Sequence, residues 1–485
     1  MRLLTIAIIF CILLGTAIAP SPAVATNTQS DRIDYNRIDR YITAQMSKHG
    51  LKGISLAITE GEKIVYLQGY GTAGQGREMT PQTPMYIGSQ SKSITSLAIA
   101  QLAEQGKVKL NDPVIKYIPW FKVSDAQATL KITVGNLLYH TSGLSDAGYT
   151  AFVPDNASLE EGIRSLVYAK LTAPVGQKFQ YFNMGYCVLM QVIENTSGEI
   201  YSDYVQHHIF SPLGMDHTYT DPASARADGL SQGYSRLFGF TIPWPQPHLA
   251  YQLGDGYLIS TAEDLAHFAI AMNNQGVYLD QRIISAAMLR QIFTPVNGYG
   301  MGWFIMPDHI NHGGANETFK TFVDLYPSHN LGLVLLINQG YMIDHYVSAE
   351  QVFKGIEALA LGLTPPPIAQ GWSVRTIGSG LLVLVFALCI LHTWNFLHLR
   401  KWKINLPSIS EARRILGVSI SFIIPSLILI IIYCQVRNFF GYRFNLSYQM
   451  VMMYKALPDI SILLIIGIVP DYIQGFIKLA WAIRG

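Results

Sequence analysis

A serine and a lysine stand three residues apart near the start of an apolar helical pattern. Ser89 and Lys92 lie in the stretch from Tyr86 to Ser93, which precedes a run of alanine, leucine and isoleucine. At this spacing two side chains occupy neighbouring points of one helix face. A serine hydroxyl needs an adjacent base to act as a nucleophile, and Lys92 can be that base if burial lowers its pKa. The helix N-terminus would favour a developing oxyanion.

Four other stretches carry polar and small residues that could share a site with this pair. They are His140 to Leu144, Tyr181-Phe182-Asn183, Tyr299 to Trp303 and His312-Gly313-Gly314. Plainer interpretations stand beside the catalytic one. A Ser-x-x-Lys is expected about once by chance in a chain of this size, as a capped helix with an exposed lysine. Tyr181 alone is more often a core aromatic, and His140 a turn histidine bonded to backbone.

Length and composition indicate several units and a membrane. The chain has 485 residues, more than one domain of usual size. Its net charge of +2 gives no reason to expect nucleic acid as a partner. Hydrophobic residues make up 50% and charged residues only 14%, and the apolar residues concentrate at the two ends. Those ends are therefore expected to be membrane segments.

Residues 1–25 are typical of a secretory signal peptide. Arg2 supplies the charged end, Leu3 to Ala19 the apolar stretch and Ala23 to Ala25 the cleavage site. An uncleaved anchor helix is the alternative. Residues 26–35 would follow as a linker.

Cysteine and histidine spacing predicts neither a disulfide nor a metal site in the exported part. Cys187 is the only cysteine of the four that would lie there. His309 and His312 are three residues apart, but further ligands are not near them in sequence. We therefore expect no metal and no cofactor.

Strand patterns lie at both ends of a helical region. Residues 54–67 read as strand, glycine turn and strand, hence a hairpin. Residues 111–300 are mostly helical, and Ser260-x-x-Glu263 predicts a capping box before a helix from Leu265 to Met272. Further strands are expected at 302–305, 321–325 and 332–337, and a helix at 348–361. The pattern predicts an α+β domain at 36–362: an antiparallel sheet flanked by helices, with a mainly helical insert.

A membrane domain is expected at 377–485, after a proline-containing linker at 363–376. Ile377 to Leu397 and Leu416 to Val436 are long and apolar enough to span a bilayer. Ile460 to Ile483 is a third candidate, although it contains Asp471 and Lys478. These two charges are two helical turns apart on one side, and the spanning form is favoured.

Basic residues set the expected orientation. The loop between the first two spans carries Arg400, Lys401, Lys403, Arg413 and Arg414, which predicts a cytoplasmic loop. The chain would then be a multi-pass protein of the cell membrane with its catalytic domain on the extracytoplasmic side. This agrees with the signal peptide. Two to three transmembrane helices are expected.

From about residue 35 to 360 the chain resembles the serine β-lactamase-like superfamily, in the branch of class C β-lactamases, D-alanyl-D-alanine carboxypeptidases and esterases. Gly88 to Lys92 is similar to the nucleophile motif of that branch. The Tyr-x-Asn and His-Thr-Ser-Gly-Leu stretches are similar to two more of its motifs. His312-Gly313-Gly314 matches the third motif, which is Lys-Thr-Gly in true class C enzymes and often His-x-Gly in esterase and peptidase members.

The resemblance implies a role for each motif. Ser89 would attack an acyl carbon, and Lys92 and Tyr181 would share its proton, the pKa of the phenol being lowered by the ammonium. Asn183 would hold Lys92 and a substrate amide. His312 and Gly314 would bind substrate, and the N–H groups of Ser89 and Ala315 would form the oxyanion hole.

The function expected from these roles is a membrane-anchored extracytoplasmic serine hydrolase. Its substrates would be small molecules or peptides with an amide or ester, and cell-wall D-Ala peptides lead because of the location. Esterase activity on small or lipid-like acyl esters is the first alternative. Histidine in place of lysine at 312 puts β-lactam hydrolysis in doubt, since histidine is half-neutral near physiological pH. A non-catalytic sensor is the third alternative.

Overall fold

The fold is built on a seven-stranded antiparallel sheet with helices on both faces. The computed structural model describes residues 33–149, 151–341, 348–366, 374–405, 408–439 and 458–484. The signal peptide expected at 1–25 lies outside these residues. The α+β pattern expected from the sequence is present in them.

The strands in chain order are β1 Gly53–Glu60, β2 Lys63–Gly74, β3 Arg77–Glu78, β4 Met85–Tyr86, β5 Tyr234–Leu237, β6 Phe240–Pro243, β7 Ile259–Ser260, β8 Val277–Tyr278, β9 Gln281–Arg282, β10 Phe304–Ile305, β11 Ile310–Ala315, β12 Lys320–Tyr326 and β13 Leu331–Ile337.

The helices are α1 Tyr35–His49, α2 Ser91–Glu104, α3 Ala126–Lys131, α4 Val134–Leu138, α5 Leu159–Arg164, α6 Met184–Ser197, α7 Tyr201–Val205, α8 Ser211–Leu213, α9 Pro222–Ala227, α10 Ala262–Asn273, α11 Ala286–Ile292, α12 Glu350–Ala360, α13 Val374–Asn405, α14 Glu411–Phe439 and α15 Pro458–Arg484.

The main sheet has the order β10-β11-β12-β13-β1-β2-β3. Its centre is β1, which pairs with β2 on one side and β13 on the other. Side chains on β1 and β13 alternate between two cores, as the two-residue period of a strand requires. Leu56 and Leu335 face the layer that contains α1 and α12. Ala57 and Leu336 face the larger helical layer, which contains α2, α6 and α10.

The helical layer packs α2 against the sheet. All but the last two residues of α2 are buried, from Ser91 to Leu102. The helix is preceded by a 3-10 turn at Gly88–Gln90 and is ended by Gly106, which lies in the left-handed region. The serine of the Ser-x-x-Lys motif therefore lies in the turn, and the lysine lies in the first turn of the helix.

The capping box expected at Ser260 and Glu263 is wrong by one residue. The N-cap of α10 is Thr261, whose hydroxyl accepts a hydrogen bond from the N–H of Asp264 at 3.1 Å. Ser260 lies in β7 and its hydroxyl is 2.8 Å from that of Thr218. The strand β7 uses Ser260 for pairing, so the helix starts one position later.

Three C-terminal helices are long and apolar enough to cross a membrane: Val374–Asn405, Glu411–Ile431 and Pro458–Ile483. They include the three stretches expected from the sequence, apart from the end of the second, and α15 packs against both α13 and α14. Asp471 and Lys478, two turns apart in α15, each have a partner on another helix. His392 of α13 lies 3.5 Å from Asp471, and Lys478 donates to the hydroxyl of Ser421 of α14 at 3.1 Å.

Candidate active site

The nucleophile motif forms a direct contact between its serine and its lysine. Lys92 Nζ donates a hydrogen bond to Ser89 Oγ at 3.1 Å. Ser89 is partly exposed, whereas Lys92 is completely buried beneath it. A substrate can therefore reach the hydroxyl while the amine stays away from solvent.

The neighbouring serines have structural partners. Ser91 Oγ donates to the carbonyl of Gly88 at 2.8 Å, which closes the turn that carries Ser89. Ser93 Oγ donates to the carbonyl of Gly302 at 2.6 Å, and both serines are buried. Ser89 is thus the serine of this stretch that faces Lys92 and remains accessible.

Lys92 is held from the opposite side by a π-helical turn at Leu253–Tyr257. The ammonium also donates to the backbone carbonyl of Asp255. The turn is fixed to α2 because Thr95 Oγ donates to the carbonyl of Gly254 at 2.8 Å. These contacts fix the position of the amine beside Ser89.

Burial lowers the pKa of Lys92 to about 8, although the carboxylates of Asp255 and Asp146 pull in the opposite direction. A substantial fraction of Lys92 is therefore neutral slightly above physiological pH. A neutral amine in contact with a hydroxyl can accept its proton, so the chemistry expected of Lys92 has a physical basis.

Tyr181 does not behave as the sequence analysis expected. Burial raises the pKa of Tyr181 above its ordinary value, and a hydrogen bond with Ser89 offsets this only in part. The expectation of a lowered phenol pKa is therefore wrong. Lys92 Nζ lies 4.9 Å from the centre of the Tyr181 ring, so the cation faces the ring instead of a phenolate. Tyr181 remains a neutral phenol that contacts Ser89.

Asn183 stands at the N-cap of α6 and is partly exposed near the site. The hydrogen bonds of Lys92 within the described residues run to Ser89 and to Asp255, and none joins it to Asn183. The expectation that Asn183 holds Lys92 is thus not met in this arrangement. Its amide remains available to a substrate.

His312 lies in the middle of β11 and is buried. Nδ1 is 2.8 Å from the carbonyl of Gly313, which can only accept, so Nδ1 carries the proton. Nε2 therefore accepts from the hydroxyl of Tyr299 at 3.0 Å. Burial, followed by the charge of Lys92, lowers the pKa of His312 to about 3. The histidine is neutral throughout the physiological range and not half-neutral as the sequence suggested.

Two glycines let the nucleophile turn approach β11 closely. A Cβ on Gly314 would lie 1.8 Å from the carbonyl oxygen of Ile87 and 3.1 Å from the backbone N of Ser89. A Cβ on Gly88, which has φ +55°, would lie 2.4 Å from the backbone N of Ala315. The two backbone segments that carry the expected oxyanion donors are therefore in van der Waals contact.

The His140 stretch packs beneath Tyr181. The His140 ring centre is 4.4 Å from that of Tyr181 and 4.9 Å from that of Tyr299. His140 Nδ1 accepts from the N–H of Phe182 at 3.2 Å. Burial lowers the pKa of His140 well below its usual value, so this ring is neutral too. The interpretation of His140 as a histidine bonded to backbone fits these contacts.

Asp255 is the site residue that the sequence analysis missed. It is buried next to Lys92, and its carboxylate accepts hydrogen bonds from Cys187 Sγ at 3.3 Å and Gln252 Nε2 at 3.2 Å. Burial raises its pKa to about 6. The only sequence signal is an acidic residue between Gly254 and Gly256, a few residues before β7.

Asp146 is a second acidic residue near Lys92. Burial raises the pKa of Asp146 to about 7; the charge of Lys92 opposes this and that of Asp255 adds to it. Burial thus moves the pKa values of both carboxyl groups upward, towards that of Lys92. In the part of the chain that the structure describes, groups of three or more His, Cys, Asp or Glu side chains suited to a metal ion are not found.

Sequence comparisons give named relatives. A family model described as Beta-lactamase matches residues 38–352. Protein flp of Staphylococcus aureus (strain MW2) is 30% identical over 312 residues, which cover 62% of this chain and 62% of that protein. The Putative penicillin-binding protein PbpX of Bacillus subtilis (strain 168) is 30% identical over 279 residues, which cover 56% of this chain and 67% of PbpX. The chain thus spans 62% of the length of the Flp protein.

Solved structures share the fold. The octameric penicillin-binding protein homologue from Pyrococcus abyssi is similar with a TM-score of 0.61 and 28% identity, over 69% of this chain and 78% of that one. FmtA from Staphylococcus aureus gives a TM-score of 0.58 at 23% identity, over 74% of this chain and 97% of FmtA, and is evidence for the fold alone.

The resemblance drawn from the sequence motifs is confirmed by these matches, which cover the seven-stranded sheet together with its helical layers. The family model spans well over half of the chain, from α1 into α12. On this ground the chain belongs to the beta-lactamase family and has penicillin-binding-protein-like relatives.

Proposed function

We propose that this chain is a serine hydrolase that forms an acyl-enzyme on Ser89. The observation that carries the proposal is the 3.1 Å contact between Ser89 Oγ and the buried amine of Lys92. The lowered pKa of Lys92, about 8, supports its action as the base. The contact also argues against a non-catalytic sensor, which has no need of a buried amine beside an exposed hydroxyl.

The proposed reaction begins when neutral Lys92 accepts the Ser89 proton as Oγ attacks the acyl carbon. The N–H groups of Ser89 and Ala315 bind the oxyanion. Tyr181, a neutral phenol in contact with Ser89, passes a proton to the leaving group and takes the proton that Lys92 received from Ser89, so that both side chains return to their neutral forms. Asn183 and the Gly314 edge of β11 orient the substrate. Water then cleaves the ester by the reverse sequence of proton transfers.

The leading substrate class is an amide of a cell-wall D-Ala peptide. Two relatives bear the name penicillin-binding protein, which supports recognition of such peptides by this group. The proposed location supports it as well. The catalytic domain would lie outside the cell, with the basic loop between α13 and α14 in the cytoplasm.

Acyl esters are the second candidate, and a specific observation favours them. His312 is neutral because its pKa is lowered to about 3 by burial and then by the charge of Lys92. It therefore offers no positive charge to a carboxylate beside the scissile bond. The same reasoning counts against β-lactam hydrolysis and against peptides that end in a free D-Ala carboxylate, since both kinds of substrate carry a carboxylate beside the scissile bond.

The test of the proposed function is covalent labelling of the full-length protein in detergent. A fluorophosphonate and a fluorescent penicillin should each label the wild type and Ser124→Ala, a change at an exposed serine, and neither should label Ser89→Ala. Mass spectrometry should place the adduct on the peptide that contains Ser89. An adduct on Ser91 or Ser93 would contradict the assignment.

Substrate preference is then read from two compounds with the same acyl group. Faster turnover of a D-Ala-D-Ala peptide supports the peptidase, and faster turnover of the matching ester without a free carboxylate supports the esterase. Lys92→Ala and Tyr181→Phe should each lower acylation by at least about a hundredfold, the scale of a lost acid or base. An unchanged rate in Tyr181→Phe would make that phenol structural.

A further inference from the structure

The β5–β6 hairpin touches the first C-terminal helix at its backbone. Its turn is formed by Phe238 and Gly239, both with positive φ. A Cβ on Gly239 would lie 2.6 Å from the carbonyl oxygen of Arg375, and a Cβ on Gly378 would lie 2.0 Å from the N of Gly239. The turn thus meets α13 where its apolar stretch begins.

Apolar side chains extend this contact. Phe238 is buried in a cluster with Leu381 and Val385 of α13 and Leu463 of α15. The start of α15 is tied to the catalytic domain as well, because the hydroxyl of Tyr341 donates to the carboxylate of Asp459 at 2.9 Å. The hairpin is therefore fixed to two of the three candidate membrane helices.

The outer edge of the hairpin is apolar, and among the described residues it is exposed or partly exposed. Phe240 and Ile242 alternate along β6 and so point to one side of the strand. Phe240 is 56% exposed, and Ile242 is partly exposed. Trp244 continues the same alternation and is partly exposed too. Phe240 and Trp244 lie near the start of α13, and aromatic residues near the end of a spanning helix are typical of the membrane–water interface.

The base of the hairpin is anchored in the catalytic domain. Arg236 of β5 is buried and donates to the carbonyl of His49 at the end of α1. The N–H of Tyr234 donates to the carbonyl of Asn338 at 2.9 Å, just beyond β13. The hairpin is thus a rigid arm of the sheet domain.

The chain that leaves the hairpin reaches the rim of the site. Gln246 Oε1 accepts from the hydroxyl of Thr318 at 2.8 Å, and Gln246 Nε2 donates to Glu317 at 2.9 Å. These residues directly follow Ala315, the expected oxyanion donor. Asn316 between them donates to the carbonyl of Gly256 at 3.2 Å, beside the turn that holds Lys92.

Chain length limits the distance between membrane and site. Gln246 is seven positions after Gly239, and a fully extended chain of seven steps spans at most about 25 Å. The rim at Glu317 and Thr318 therefore lies within that reach of the point at which α13 enters its apolar stretch. A molecule anchored in the outer leaflet can present its head group at this height.

We propose that the edge formed by Phe240 and Ile242 lies in the outer lipid surface, and that the hairpin holds the mouth of the Ser89 site there, so that the preferred substrates are amides or esters carried by membrane-anchored molecules. The inference rests on the proposed function, because it concerns the substrates of the same site. The contact of β6 with lipid, on which the proposal depends, can be measured without any catalysis.

The first experiment measures lipid contact in vesicles of phosphatidylglycerol and phosphatidylethanolamine. The full chain, with Cys389→Ser and Cys434→Ser, carries an environment-sensitive fluorophore at Phe240→Cys or at Leu279→Cys. Leu279 is 73% exposed in the β8–β9 turn and serves as the matched control. The label at 240 should shift to the blue and be quenched by nitroxide lipids, and the label at 279 should do neither. Equal behaviour at the two positions overturns the proposal.

The second experiment measures catalysis with Phe240→Ser/Ile242→Ser, and with Leu279→Ser as control. One ester is displayed on a lipid in the same vesicles, and an identical head group is supplied in soluble form. The double variant should lose lipid-ester turnover by a factor on the order of ten to a hundred, because the effective substrate concentration falls, and should keep soluble turnover. An equal loss on both esters overturns the proposal, since the hairpin would then only support the site.

Fluorophosphonate labelling separates this outcome from failure of the proposed function. If wild-type Ser89 takes no label, the hydrolase assignment fails while the quenching result at position 240 still decides the lipid contact. If Ser89 is labelled equally in the wild type and the double variant, the catalytic groups are intact and the turnover ratio decides the substrate class.

Discussion

Lys92 and Tyr181 divide the proton chemistry unequally, and the difference follows from burial. Removal from water favours the neutral form of both side chains. This lowers the pKa of a lysine, whose neutral form is deprotonated, and raises the pKa of a tyrosine, whose neutral form is protonated. Lys92 therefore moves towards working pH and Tyr181 moves away from it. The base is the amine, and the phenol is a donor.

The pH dependence of acylation should report this arrangement. The base form of Lys92 increases as pH rises through its pKa of about 8, so the acylation rate should increase up to that pH. Asp255→Asn removes a negative charge that favours the ammonium. The pKa of Lys92 should then fall and the acid limb of the profile should move to lower pH.

Stopped-flow measurement of fluorophosphonate acylation from pH 5 to 10 checks this shift. Glu160→Gln changes an exposed carboxylate that pairs with Arg164 and should leave the limb in place. A limb that stays fixed in Asp255→Asn, or moves to higher pH, would contradict the electrostatic role of that residue.

The same burial predicts a conflict between activity and stability at Lys92. Its folded-state pKa, about 8, is below the ordinary value of 10.5. Below pH 8 the folded state must hold a buried ammonium, and this penalty disappears as pH rises from 8 to 10.5. Lys92→Met should therefore abolish acylation yet raise the free energy of unfolding at pH 7 by about 1–3 kcal/mol.

Chemical denaturation of the full chain in detergent, at pH 7 and at pH 10, tests the sign. The gain should be smaller at pH 10. Lys116→Met, at an exposed lysine, provides the control for the added methionine. A loss of stability in Lys92→Met at pH 7 would show that contacts of the amine outweigh its desolvation.

At the scale of elements, the site depends on how closely the nucleophile turn lies against β11. Gly314 permits that approach and Gly313, its neighbour, does not need to be glycine. A Cβ on Gly313 would have its nearest contact at 3.4 Å, which is an ordinary distance, against 1.8 Å for Gly314. Adjacent positions in one strand thus form a natural pair for comparison.

Gly314→Ala should separate the turn from the strand and move the two oxyanion donors apart. We expect at least a hundredfold loss of acylation, comparable to about 3 kcal/mol for a lost donor, with the far-ultraviolet circular dichroism retained. Gly313→Ala should stay within a few-fold of wild type. Equal rates for the two variants, measured with fluorophosphonate, would place the oxyanion site elsewhere.

Local patterns predicted most elements, because hairpins, amphipathic helices and caps depend on neighbouring residues. The hairpin of β1 and β2, the strands β12 and β13 and the helix α12 all lie where the sequence placed them. The Ser–Lys contact was predictable as well, since three residues on a helical turn bring the two side chains together.

Long-range relations were not predictable from the same patterns. The turn at Leu253–Tyr257 meets Lys92 across more than 160 residues, so nothing local identifies Asp255 as a neighbour. The shift of the α10 cap from Ser260 to Thr261 has the same origin, since pairing of β7 removes Ser260. The direction of the pKa shift of Tyr181 depends on how deeply the phenol is buried, and a sequence motif does not give this.

At the scale of the whole molecule, the candidate membrane helices make polar contacts with one another. Asp471 and Lys478 were expected on one side of their helix, too far apart to pair directly without strain, and Asp471 lies 3.5 Å from His392 of α13. A carboxylate at mid-bilayer costs several kcal/mol unless paired. The contact supports the prediction that α15 spans the membrane, and three spans with a cytoplasmic basic loop would predict a cytoplasmic C-terminus.

Cysteine labelling tests that topology. Arg484→Cys, in a chain that lacks the native cysteines, should resist a membrane-impermeant maleimide in intact cells and react after permeabilisation. Leu279→Cys, in the proposed extracytoplasmic domain, should react in both cases. Modification of position 484 in intact cells would reject three spans and leave α15 at the outer surface.

The place of β1 at the centre of the sheet has a consequence for synthesis. One edge of β1 pairs with β2, which is synthesised a few residues later. The other edge has no partner until β13 has been made, when Ile54 pairs with Ile337. At ordinary translation rates of about 5–20 residues per second, roughly 280 further residues take on the order of 15–60 s. During that interval the nascent chain has an unpaired apolar strand edge, and such edges promote aggregation. A ribosome that stalls before residue 331 therefore releases a product that holdase chaperones or proteases must remove.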